Sequence, residues 1–260
     1  MFICGSDQIW SPIVPYNSYY YLAFTNKDKI AYAPSIGSWE YPDKNVEIVK
    51  PFLERFKALS IREIQGAEIL KNKFGLKAQT VLDPTLLLDK KDWELLTLPV
   101  KYHKPYILCY LLTYNTEYLE FVRQYAKNVG LKLKIFITDK RYCQYADEHL
   151  FVGPQEFITE IKGASVFFTD SFHGSIFAIH FEKDFYTFKR FKDCAKNDQN
   201  SRIINLFDKL GIKERFISGN ELKDISLIRP LAYNCIKAKL VKERKMSLNY
   251  LQTALDKNIW

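Results

Sequence analysis

No Cys-x-x-Cys pair occurs in the 260 residues, and none of the five cysteines stands at metal-ligand spacing from one of the four histidines. Neither a structural zinc site nor a redox dithiol is therefore written into the chain. The odd set Cys4, Cys109, Cys143, Cys194 and Cys235 is no disulfide framework and fits a reducing, cytoplasmic compartment. Cys4 and Cys109 lie in apolar runs, where a thiol reads as buried and inert. No apolar stretch is long enough to span a bilayer, and the opening MFICGSDQIW has neither a basic n-region nor a long h-region, so export is not expected. Short internal repeats and low-complexity tracts are missing as well, which sets aside solenoid and disordered classes.

What remains is a chain with 47% hydrophobic and 15% aromatic residues, enough to build a sizeable core in one large domain or two modest ones. The 38 Lys and Arg against 30 Asp and Glu give a formal charge of +8, which favours anionic partners: phosphorylated metabolites, nucleic acid or an anionic membrane face. Apart from Lys237 to Lys245 the basic residues are dispersed, with no one-sided stripe interleaved with exposed aromatics. Nucleic acid is accordingly not an expected partner.

Short β-branched and aromatic runs recur, each followed by a turn and a helical-period segment, the pattern of parallel strands joined by crossover helices. The fold class is α/β. A first series has strands at Phe2 to Cys4, Ile30 to Ala33, Ala58 to Ile61 and Thr80 to Leu82, with helices at Val46 to Lys57 and Glu63 to Phe74. Pro51 interrupts the first helical pattern, at what reads as its true beginning. A stretch bracketed by Pro99 and Pro105 reads as a linker. The second series has strands at Tyr106 to Leu112, Leu133 to Ile137, Val166 to Thr169 and Phe185 to Phe188, with helices near Thr116 to Val129, Pro154 to Lys162, Ser171 to Phe181 and Ser201 to Leu210. From Tyr233 to Leu255 runs one long amphipathic helix. The expected organisation is two Rossmann-like domains facing across a cleft: residues 1–98, 99–230, and a C-terminal helix, 231–260, packing back on the first. The first domain has too few strands for a complete mononucleotide-binding half.

Four segments can carry chemistry. In ASVFFTDSFHGSIFAI an apolar strand meets an apolar helix through a polar turn, putting Ser171, His173 and Gly174 in the first helical turn. Backbone N–H groups and the helix dipole make such a spot an anion site, and a histidine there suits acid and base work. A cap at Ser171 with His173 packed beside it is the plainer reading. In LSIRE, Arg62 offers a fork for a carboxylate or phosphate and Glu63 opens a helix; the plainer reading is a surface ion pair between the two. In VLDPT, Asp83 follows a strand as a turn or cap residue. In CGSDQIW, Ser6 and Asp7 occupy a Gly-led turn. Lys189, Arg190 and Arg202 follow a strand or open a helix and could line the same cleft. His103, His149 and His180 have no ligand-like spacing.

Taken in order, GSDQIW, YAPSIG, LSIRE, LDPTLLL, SFHGSIF and NSRIINLF resemble the polysaccharide pyruvyl transferase family. The resemblance implies a fold similar to the two-domain GT-B type and an enzyme that transfers pyruvyl from phosphoenolpyruvate to sugar hydroxyls, forming a ketal on a polysaccharide or lipid-linked glycan precursor. It implies roles in donor binding or catalysis for His173 and Arg62. The chain departs from the family where some members have Arg-Leu-His and it has Ser171-Phe172-His173; Lys189, Arg190 and Arg202 are then the substitutes for the missing arginine. It also departs in lacking, before GSD, the first strand and helix unit that members carry, so the first domain is expected to be incomplete. With Asp7 and Asp83 as acceptor-side bases, and Ser6, Ser171 and Gly174 at the substrate, no metal or cofactor is called for. The inner membrane face and a homo-oligomer are open expectations. Two alternatives stand: a GT-B glycosyltransferase using a nucleotide sugar, and a truncated, non-catalytic domain that binds glycan or a partner.

Overall fold

The computed structural model describes residues 1–13, 16–99, 104–191, 198–219, 221–222, 225 and 230–256. Residues 100–103 of the expected linker, with His103, and Cys194 lie outside these. Along the chain come β1 (Phe2–Cys4), β2 (Lys29–Ala31), α1 (Asp43–Leu53), β3 (Ser60–Ile61), α2 (Ile64–Phe74), β4 (Gln79–Thr80), α3 (Lys90–Glu94), β5 (Tyr106–Tyr110), α4 (Thr116–Asn128), β6 (Lys132–Phe136) and β7 (Glu148–Leu150). They are followed by α5 (Pro154–Gly163), β8 (Val166–Thr169), α6 (Phe172–His180), β9 (Asp184–Phe188), α7 (Ser201–Leu210), β10 (Phe216–Ile217) and α8 (Tyr233–Asp256). The chain is an α/β protein with parallel sheets.

It divides into two compact units, one made of Met1–Leu87, Phe191–Gly211 and Asn234–Trp260, the other of Leu88–Arg190 and Ile212–Tyr233. This differs from the expected boundary at 98/99, because membership follows packing and not the proline-bracketed stretch. Residues just after Leu87 belong to the second unit: Trp93 packs edge-on against Phe177 at 4.9 Å, and Leu98 N–H donates to Thr159 Oγ1 at 2.8 Å. Helix α7, expected in the second domain, belongs to the first. There Asn205 Oδ1 accepts from Ile64 N at 3.0 Å, relieving an amide at the start of α2 that has no helical partner.

In the first unit β1 pairs with β2 and β3 with β4, all in parallel, and a bridge between Ile30 and Ala58 links the two pairs. The strands are short because turns carrying the motifs follow each one at once. Lys29 is buried in β2 and its ammonium is met by the carbonyls of Tyr21 and Leu22 at 3.1 and 2.9 Å; desolvation still lowers its pKa. Helix α1 begins at Asp43, right after Pro42, and Pro51 lies in its last turn, not at its beginning. A proline there removes a single hydrogen bond near an end that frays anyway. Helix α2 stops at Gly75, whose φ of 72° is the left-handed conformation glycine takes freely. Helix α8 packs on this unit, with Tyr250 Oη donating to Ala31 O at 2.8 Å and Ser247 Oγ accepting from Leu82 N at 2.9 Å.

The second unit is a six-stranded sheet in the order β10-β9-β8-β5-β6-β7, every pairing parallel. Read from β5 outward this is the 3-2-1-4-5-6 order of doubly wound nucleotide-binding sheets. Residues 106–109 of β5 are buried throughout, as a central strand covered on both faces requires. The direction of winding reverses between β5 and β8. At such a reversal the flanking helices leave on opposite faces and open a crevice at the strands' C-terminal ends.

Candidate functional site

Three predicted residues 77 positions apart at their extremes meet in the first unit. Ser6 lies two residues after β1, Arg62 directly after β3 and Asp83 three residues after β4, so the segment leaving the C-terminal end of each strand brings one of them to the cluster. Arg62 Nη2 lies 2.9 Å from Asp83 Oδ2 with both side chains buried, and it donates to Ser6 Oγ at 2.5 Å. Ser6 Oγ in turn donates to Asp83 Oδ2 at 3.1 Å. Asp83 Oδ1 accepts from Thr85 N at 2.9 Å and from Thr85 Oγ1 at 2.5 Å. With both oxygens engaged and a guanidinium beside it, Asp83 is built to hold Arg62, and a role as acceptor-side base does not fit. Asp7, next to Ser6, is exposed and takes the left-handed conformation at φ 70°; its Oδ1 accepts from Gln8 N at 2.8 Å.

The expected surface pair of Arg62 and Glu63 is overturned: both are buried and they have different partners. Glu63 Oε1 accepts from Ser35 Oγ, Ile36 N and Gly37 N at 3.1, 2.8 and 2.9 Å. The carboxylate thereby fixes the YAPSIG loop, where Ala33 (φ 53°) and Gly37 (φ 59°) are both left-handed. This tie was missed in sequence because the acidic residue after Arg62 points to a helix start and carries no mark of a loop 26 residues earlier.

In the second unit the turn after β8 opens at the sheet's reversal point. Ser171 is the N-cap of α6, its Oγ accepting from Gly174 N at 3.1 Å. His173, in the first turn, is half-buried, with its ring edge-on to that of Phe172 at 5.4 Å. Gly174 is buried, and a Cβ there would come within 2.8 Å of Thr169 Oγ1. Its role is close packing of helix on strand.

Asp170, which local pattern passed over, is the organising group of this edge. Its Oδ1 and Oδ2 accept from Leu112 N and Thr113 N at 2.7 and 3.0 Å, tying the end of β8 to the residues after β5. Arg190 Nε approaches Asp170 Oδ2 at 3.6 Å and donates to Thr113 Oγ1 at 3.1 Å. Desolvation raises the Asp170 pKa, while the two backbone donors and Arg190 pull it the other way. The position was legible in principle: an acid between a strand and a capped helix is where a doubly wound sheet ties its crevice.

The remaining candidates separate. Arg190 joins this cluster; Lys189 Nζ lies 5.7 Å from the Phe216 ring centre; Arg202, in α7, is buried within the first unit. Cys4 and Cys109 are buried; burial pushes the Cys4 thiol up to about 12 and raises that of Cys109 also. Neither is a nucleophile at neutral pH. Among the described residues no group of three or more His, Cys, Asp or Glu could hold a metal, and no helix is long and apolar enough to cross a membrane.

The family model for polysaccharide pyruvyl transferase matches residues 1–190. No curated protein matches the chain. Among solved structures, the glycotransferase of kitacinnamycin aligns with a TM-score of 0.41 and 12% identity over 90% of this chain and 71% of that one. The wall teichoic acid polymerase TagF aligns with a TM-score of 0.44 and 11% identity over 90% and 73%.

Proposed function

Because the chain belongs to the polysaccharide pyruvyl transferase family, we propose that it moves the pyruvyl group of phosphoenolpyruvate onto two hydroxyls of a sugar in a polysaccharide or glycan precursor. The observation that carries this reading is the reach of the family match, residues 1–190, which takes in Ser6, Arg62, Asp83, Asp170, His173 and Arg190 alike.

The reaction asks for little beyond proton transfer and anion binding. A proton adds to the methylene carbon of the donor, leaving a cationic centre that one sugar hydroxyl attacks. The second hydroxyl then displaces phosphate, the C–O bond to phosphorus oxygen breaks, and the ketal closes. One hydroxyl proton replaces the proton consumed and the other leaves with phosphate. In this reading His173 delivers the proton or holds the phosphate from the first turn of α6. Arg62, oriented by Asp83 and Ser6, clamps the donor's carboxylate or phosphate. Asp7, exposed beside that cluster, is the base for the acceptor, and Arg190 supplies positive charge at the reversal point. The work is placed in the cytoplasm, at the inner face of the membrane where the acceptor is lipid-linked.

One observation favours the nucleotide-sugar alternative. Tyr110, Phe136, Phe151 and Phe157 line a cavity of about 490 Å³ at the C-terminal ends of β5, β6 and β7, where doubly wound sheets receive a base. Thermal shift with phosphoenolpyruvate against UDP- and CDP-sugars decides between them, since a ligand at 100 times its Kd stabilises by about 2.7 kcal/mol. Phosphate release from phosphoenolpyruvate, dependent on a glycan acceptor, is the positive test. His173→Ala should lower it about a hundredfold or more with the fold intact; undiminished release in that variant rejects the assignment.

A further inference from the structure

The first unit holds a second cavity, of about 670 Å³, that the Arg62 cluster does not line. One wall is the indole of Trp39, just beyond the loop that Glu63 fixes; another is α2, through Gln65, Glu68 and Asn72. Those three are spaced three and four apart, so they stack on one helical face. The face is therefore a row of two amides and a carboxylate, starting three residues after Arg62.

Trp39 is 43% exposed, yet it is held: Nε1 donates to Asp198 Oδ2 at 3.0 Å. Asp198 is buried, and its Oδ1 accepts from Asn200 N at 2.8 Å. A half-exposed indole adds little to a core, so a buried carboxylate that orients it has a purpose at the surface and not inside. Gln65 Oε1 already accepts from Asn205 Nδ2, which leaves its NH2 as the group with donors to offer. The charge is distinctive too. Glu40, Asp43 and Glu68 line the cavity against Lys73, and Lys73 is bound to Asp43 at 2.6 Å. A chain of formal charge +8 thus has an acidic hollow, which repels phosphates and carboxylates and admits neutral ligands.

A pyranose ring has the matching chemistry: an apolar C–H face for a fixed indole, and adjacent hydroxyls that both donate to a carboxylate and accept from an amide. We propose that this cavity is a subsite for neutral sugar units of a glycan, with Trp39 as the platform and Gln65, Glu68 and Asn72 as the hydroxyl contacts. This deepens the reading of the chain as a glycan-modifying transferase and rests on it for the biological purpose of the site, although the binding itself needs no donor.

The test is made without phosphoenolpyruvate, so that it stands or falls apart from turnover. The full chain is applied to an array of soluble neutral hexose and N-acetylhexosamine oligosaccharides together with their uronic-acid counterparts, and hits are followed by tryptophan fluorescence. At least one neutral oligosaccharide should bind, and its uronic-acid counterpart more weakly. Trp39→Ala should lose at least about tenfold in affinity and Asn72→Ala several-fold, and millimolar phosphoenolpyruvate should not displace the sugar. Asn72 is exposed, so its variant stays informative even if the Trp39 variant unfolds. Absence of any glycan binding, preference for the acidic glycans, unchanged affinity in Asn72→Ala, or unchanged affinity in a folded Trp39→Ala overturns the proposal. Failure of phosphate release with glycan binding intact would instead count against the pyruvyl transfer.

Discussion

The buried guanidinium of Arg62 ties Ser6 to Asp83 in the first unit. Removing it leaves Asp83 buried without its counter-charge, at a cost of about 3–5 kcal/mol. Arg62→Ala should therefore shift the denaturation midpoint strongly, and Arg62→Lys should shift it less while still losing turnover, because an ammonium keeps the charge and loses the fork. Equal turnover in Arg62→Lys and the natural chain would remove Arg62 from donor binding. Asp170 makes a prediction in pH. Its folded pKa is raised, mainly by desolvation, so its contribution to stability is full below the ordinary aspartate value and is lost as pH rises through the raised one. The stability advantage of the natural chain over Asp170→Asn should shrink across that acidic window, read as the gap between their melting temperatures. A gap that widens there contradicts the raised value. The cysteines give a third measurement: a thiol reagent at pH 8 should modify the exposed Cys235 on the folded chain and leave Cys4 and Cys109 untouched until it unfolds. Residue types were legible one turn at a time in GSD, LSIRE and LDPT. Their convergence was not, since the Ser6, Arg62 and Asp83 contacts depend on strand order, which local pattern does not encode.

At the scale of elements, helix α8 carries much of the first unit's closure. Leu240, Tyr250 and Ala254 are buried along one side, and Ser247 and Tyr250 hydrogen-bond strand-edge groups of the sheet. Tyr250→Phe should cost about 0.5–1.5 kcal/mol and Leu240→Ala about 2–5 kcal/mol, measured by chemical denaturation; negligible losses would mean the helix is only loosely attached. The central strands and the long helices were legible because burial on both faces leaves a continuous apolar run and burial on one face leaves a period of 3.6. Strands β7 and β10 were not. Glu148-His149-Leu150 is half in water at the sheet's edge, and Phe216–Ile217 is two residues long, so neither writes a period. Helix α3 spans five residues with no buried side chain, and its one local mark is the reciprocal cap between Asp89 and Asp92.

On the scale of the whole molecule, the chain enters the first unit three times and the second twice. The leading segment cannot supply its own closure: Ile64 N relies on Asn205 and Leu82 N on Ser247, while Tyr250 adds a second donor to Ala31 O beside that of Ser60. Residues 1–87 made alone should therefore remain unfolded by circular dichroism, and gain structure when residues 234–260 are added in trans. A cooperative melt of the fragment by itself would show that the later segments are dispensable. Synthesis on the ribosome adds a time axis to the same wiring. At about 5–20 residues per second, the interval between the emergence of Leu87 and that of Asn234 is on the order of ten seconds, during which the nascent first unit waits with its sheet uncovered. A stop codon just before Asn234 would thus strike a unit whose first segment ended at Leu87, and the chain waiting for that last segment is the form that most needs a chaperone.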